Sequence, residues 1–121
     1  MAYMNQKRKA ERAPVIKAIL NKYGQKGSLS VRNHSTLALK LKDTAGMFAN
    51  EFANADEFAK KWGISVNPYW FEKHFEANPK AVQLLQELTA AMYGADYYDN
   101  TDAQIDYFDT SHYIDIDIFQ A

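Results

Sequence analysis

Residues 28–42, SLSVRNHSTLALKLK, alternate apolar and polar side chains on both sides of a short polar break, and this pattern narrows the fold more than any other stretch. Leu29 and Val31 alternate with Ser28, Ser30 and Arg32; Leu37, Leu39 and Leu41 alternate with Thr36, Ala38, Lys40 and Lys42. A period of two is the signature of a strand with one buried face. A three-residue loop, Asn33-His34-Ser35, pairs Val31 with Leu37 and Leu29 with Leu39, so that all four side chains share a face. A four-residue loop would pair Val31 with Thr36 and mix the faces, because a slip of one residue turns a whole set of side chains over. A second strict alternation covers 112–119, with His112, Ile114, Ile116 and Ile118 on one side and Tyr113, Asp115, Asp117 and Phe119 on the other. It predicts a half-buried strand far along the chain from the hairpin.

Helical spacing lies before and between these strands. Ala13, Ile16, Ile19, Leu20 and Tyr23 form an i, i+3, i+4 stripe that stops at Gly24. Lys17, Asn21 and Lys22 fall off that stripe and are expected to face water. Pro14 suits a first turn, so the basic run 7–12 is either an arm or an extra turn before a kink. Residues 43–53 carry no decisive pattern. Asn54 with Glu57 reads as a capping box ahead of Phe58, Ala59 and Trp62, with Gly63 as the stop. Residues 64–66 read as a short strand or an extended link. Asn67-Pro68 and Asn78-Pro79 repeat one device, an asparagine cap followed by proline at the first helical position. The first opens a short helix over 69–75, in which Trp70 or Phe71 fills the core and Tyr69 lies at its rim. The second opens a longer helix with the stripe Val82, Leu85, Leu88, Thr89 and Met92, ending at Gly94. The order is α-β-β-α-(β)-α-α-β. This predicts an α+β fold in which a small antiparallel sheet of about three strands carries four helices, mainly on one face. The 121 residues suffice for one domain with one core.

The net charge of −1 hides a strong division. Residues 1–42 hold ten Lys and Arg against Glu11 alone, a balance of +9; residues 43–121 hold four against fourteen acids, a balance of −10. Charge asymmetry of this kind points to a charged partner when the two signs occupy separate surfaces, and to internal neutralisation when they interleave. No cysteine is present, which removes disulfides, thiolate metal sites and cysteine nucleophiles, and suits a reducing cytoplasm. The basic N-terminus has no apolar run behind it, so no signal peptide is expected. No run of about 18 uncharged apolar residues occurs, so no membrane span is expected either.

Several clusters carry candidate chemistry. Lys7, Arg8, Lys9, Arg12, Arg32, Asn33 and His34 are the candidates for contact with nucleic acid or another anionic partner. At the hairpin tip, Arg32 and His34 suit phosphate or carboxylate, while Asn33 suits the left-handed backbone of a tight loop. Tyr97, Tyr98, Asp99, Asp102, Asp106, Tyr107 and Asp109 form an acidic, tyrosine-rich candidate interface with protein, since tyrosine is favoured at such contacts. Such a surface also imitates DNA toward nucleic-acid-binding proteins. Asp115 and Asp117 lie about 7 Å apart on one strand face, either as a two-metal nuclease site or as acids that protect an edge strand. His112 points away from them. No phosphate-binding, dinucleotide, zinc-protease or serine-elbow motif occurs, and no nucleophile–base pair is marked. The residues therefore point to no cofactor and no metal, and toward binding rather than catalysis.

Three stretches, KAILNKYGQKGSLSVRNHSTLALKLK (17–42), VNPYWFEKHF (66–75) and DYFDTSHYIDIDI (106–118), resemble small proteins of bacteriophages and conjugative plasmids. That family also appears as one of the large-polyvalent-protein-associated domains, and the likeness covers most of the chain. The resemblance implies a mobile-element accessory protein in the host cytoplasm. Its partner is then a host protein or nucleoprotein complex, and its role the inhibition of a defence system of the CRISPR or restriction type. It supplies no catalytic residues. Nucleic-acid binding through the basic half is the second expectation, and a metal-dependent nuclease at Asp115 and Asp117 the third.

Overall fold

The structure is a computed structural model, and it describes residues 3–68, 70–94, 97 and 112–120. The first helix, α1 (Gln6–Lys22), starts earlier than the apolar stripe implies. Asn5 caps it by accepting the Arg8 N–H at 2.8 Å, so the basic run is helical rather than an arm. Pro14 lies inside the helix, where it and Ala10, whose carbonyl loses its usual donor, are both exposed.

The hairpin has the register expected from its letters. Strand β1 (Lys26–Arg32) runs antiparallel to β2 (Thr36–Asp43), with Leu29 opposite Leu39 and Val31 opposite Leu37. Asn33 and His34 supply the turn, with φ of 54° and 55°. The tip backbone is also bonded on both sides. Met4 donates to the His34 carbonyl at 2.8 Å, and Tyr113 donates to the Ser35 carbonyl at 2.9 Å.

Among the described residues the sheet has four strands rather than three, and it is mixed rather than antiparallel. Its order is β1-β2-β4-β3, where β3 is Ile64–Val66 and β4 is Tyr113–Gln120. β4 lies parallel to β2 and antiparallel to β3. Alternation tells which face a residue takes, but it is silent on neighbours and direction. Here the chain leaves β2 for the helices and returns between two earlier strands.

On one face of the sheet, Leu37, Leu39, Leu41, Val66, Ile116 and Ile118 join one core with Ile16 and Leu20 of α1 and with Phe48, Phe52, Phe71, Leu84 and Leu88. Helix α2 (Ala49–Ala53) fills the stretch that lacked a pattern. It is set by Asp43, a buried carboxylate that accepts the Met47 and Phe48 N–H groups at 2.8 Å each and the Gln25 amide at 2.8 Å. These bonds turn Phe48 and Phe52 into the core.

Helix α3 (Glu57–Trp62) is capped by Asp56, not by the expected Asn54, which instead ends α2. α3 buries none of its own residues, and Gly63 stops it at φ 93°. In α4 (Phe71–His74), Phe71 enters the core while Trp70 is exposed; Tyr69 lies outside the described residues. Asn78 caps α5 (Pro79–Tyr93), whose buried face is Ala81, Leu84, Leu85, Leu88, Thr89 and Met92. No helix among the described residues is long and apolar enough to cross a membrane.

Candidate functional site

The basic first half does not stay together. Arg12 is buried, and its guanidinium closes the end of α5: Nε donates to the Met92 carbonyl at 3.1 Å and Nη2 to the Tyr93 carbonyl at 2.9 Å. A cation at a helix C-terminus satisfies orphan carbonyls and the dipole together. Arg8 is also engaged. It donates to the Tyr3 carbonyl, and its Nη2 lies 3.3 Å from His112 Nδ1. The buried His112 in turn reaches the Met92 carbonyl through Nε2 at 2.9 Å. A carbonyl accepts only, so this contact puts the imidazole proton on Nε2 and leaves Nδ1 to accept from Arg8. Both arginines thus serve the junction of α1, α5 and β4.

Arg32 is taken as well. It reaches across β2, beside the small Ala38, to Asp115 at 2.7 Å and Asp117 at 3.7 Å. Lys40 is the register partner of Asp117. Burial, and then the neighbouring Asp115, push the Asp117 carboxyl up, against the lowering pull of Arg32 and Lys40. On this face of the sheet the charges interleave, which answers the division seen in the sequence with internal neutralisation. The two aspartates hold an arginine where a metal site would need a cation. Among the described residues no group of three or more His, Cys, Asp or Glu is placed to hold a metal ion.

Asn33 and His34 are exposed at the tip, where their backbone makes the turn. Tyr97 is half-buried against Tyr93, with ring centroids 4.3 Å apart, and meets His112 edge-on at 5.5 Å. Tyr98, Asp99, Asp102, Asp106, Tyr107 and Asp109 lie outside the described residues.

Three of the other cations of the basic half, Lys9, Lys17 and Lys26, line one place, a groove of about 530 Å³ between α1 and β1. Its floor is apolar, from Ala13, Ile16, Leu20, Leu29 and Leu39, and its rim carries Lys9, Lys17 and Lys26. These three lysines form no ion pair among the described residues. Lys7, two residues before Lys9, is exposed. Gly27 lets the helix approach the strand: a Cβ there would meet the Lys40 carbonyl at 3.0 Å and Leu20 Cδ1 at 3.2 Å. Lys17 and Lys26 were not among the candidates from sequence. A signal for Lys17 was present, since Lys9, Ala13 and Lys17 follow one another at i, i+4 and i+8 and share a helix edge. Nothing local marked Lys26, which only the turn after α1 carries to the same groove.

No protein-family model matches the chain, and comparison with the curated proteins and with the solved structures finds no match.

Proposed function

We propose that the chain is a non-catalytic binding protein whose α1–β1 face receives an acidic surface of a partner protein. One observation carries this reading: an apolar groove rimmed by Lys9, Lys17 and Lys26, three cations with no ion-pair partner among the described residues. Apolar floor and charged rim together suit a polypeptide, which offers both kinds of side chain. They suit nucleic acid less well. Among the described residues, the groove lining includes no aromatic side chain on which a base would stack. Arg8, Arg12 and Arg32, the strongest phosphate ligands of the basic half, already have partners inside the fold. In the mobile-element setting that the family resemblance implies, the partner is a host protein and its capture blocks a host defence.

The test is affinity capture from nuclease-treated host lysate, comparing the wild type with the charge-reversed variant Lys9→Glu/Lys17→Glu/Lys26→Glu. Circular dichroism establishes that both fold alike. The expected result is a set of acidic proteins held by the wild type, released by salt and lost by the variant. Identical capture by both proteins would overturn the reading, as would capture that disappears once nucleic acid is digested.

A further inference from the structure

We infer that the partner segment binds as an added strand along β1, placing two acidic side chains on Lys9 and Lys17 and an apolar one between them on the groove floor. The inference rests on the proposed reading and names the chemistry of the segment. Among the described residues β1 is an edge of the sheet, and it is seven residues long. It pairs with β2 in unbroken register from Lys26 to Arg32, without bulge or proline. In an antiparallel ladder alternate residues point their N–H and C=O groups away from the neighbour, so such an edge presents a row of unused donors and acceptors. The opposite edge, β3, has three residues and offers a much shorter row.

An added strand would lie about 4.8 Å beyond β1, at the mouth of the groove. Its side chains alternate, and one set faces α1. Lys9 and Lys17 are eight positions apart on the helix, a rise of about 12 Å. Side chains four positions apart on a strand are separated by about 13 Å. Two acids at i and i+4 of the added strand therefore match the two lysines, and residue i+2 falls toward Ala13 and Ile16 of the floor. The segment this describes is acidic–x–apolar–x–acidic, in extended conformation. Main-chain bonds supply affinity and the alternate side chains supply selectivity, as in other cases of strand addition.

The experiment uses the full chain and a fluorescein-labelled peptide of sequence TETVTET, read by fluorescence anisotropy. Three companion probes are TKTVTKT, TETVTET methylated on alternate backbone nitrogens, and polyglutamate. The expected result is binding of TETVTET that weakens with salt, with a loss of about tenfold or more on reversing both helix lysines and a similar loss on backbone methylation. Amide resonances of 26–32 shift on titration. Equal binding of the methylated peptide overturns strand addition; if that peptide and polyglutamate bind in a lysine-dependent way, the acidic-partner reading survives alone. If no acidic probe binds, both fall. A dimer of the chain that TETVTET fails to dissociate also overturns the inference, since the edge would then belong to a second copy.

Discussion

Arg32 Nη1 lies 2.7 Å from Asp115 Oδ2, across the full width of the intervening strand β2. Residues 83 positions apart thus neutralise each other at the centre of the sheet, at a place where Ala38 leaves room for the guanidinium. Both side chains are partly exposed, with 41% and 33% of their surface accessible, so the pair is screened and its worth is modest. A double-mutant cycle of Arg32→Ala and Asp115→Ala, read by urea denaturation, should give a coupling of about 0.5–1 kcal/mol. The coupling should shrink as salt is added. Ala38→Phe should cost about 1–3 kcal/mol, because Ala38 is 1% exposed and its site has no space for a ring.

Arg12 and Gly94 are coupled more tightly. Gly94 has φ 78° and ψ 172°, a region essentially confined to glycine, and a Cβ there would lie 2.5 Å from Arg12 Nη2. Arg12→Ala should cost about 3 kcal/mol, since it strips two charge-assisted bonds from the end of α5. Gly94→Ala should cost about 2 kcal/mol or more from backbone strain and displacement of the guanidinium. In the Arg12→Ala background the second cost should fall, because the displaced group is gone. Chemical denaturation of the four proteins measures this, and strict additivity would contradict the contact.

Asp43 should prove a structural acid. Its carboxylate holds the Met47 and Phe48 N–H groups and the Gln25 amide. Asp43→Ala should cost about 2–3 kcal/mol and Asp43→Asn about 1 kcal/mol, as the amide keeps one acceptor oxygen. Hydrogen exchange should quicken first at 47–52, where α2 begins.

Two carboxylates should bend the pH dependence of stability in opposite senses. The Asp117 carboxyl is held above the ordinary carboxylate value, chiefly by burial. Its contribution is therefore present below that ordinary value and lost as pH rises through the raised one. Asp117→Asn should raise the free energy of unfolding slightly at neutral pH, by about a few tenths of a kcal/mol once partial exposure is allowed for, and leave it unchanged in acid. The Glu87 carboxyl accepts from the Lys22 ammonium and the Tyr23 hydroxyl and is held low, first by the bond from Lys22. Its contribution is present above the ordinary value and lost as pH falls through the lowered one. The same bonds raise Lys22 and Tyr23, so their contributions fade as pH climbs through the alkaline range. Glu87→Gln should flatten the curve at both ends, as read by thermal unfolding across pH.

Local pattern alone determined the hairpin and its register, the apolar face of β4, the stops at Gly63 and Gly94 and the cap at Asn78. Each depends on residues within a few positions of one another: a period of two admits one buried face, and a cap serves the turn beside it. The tertiary structure decided the rest. It inserted β4 parallel to β2, drew α1 through Pro14 and turned Phe58 and Trp62 to the solvent. It also sorted the cations, giving Arg12 to a helix end, Arg32 to two aspartates, and Lys9, Lys17 and Lys26 to a groove. A charge has the same letter whether it is solvated, buried or paired. Which of these it becomes depends on what the fold brings within a few ångströms of it, and those neighbours come from distant parts of the chain.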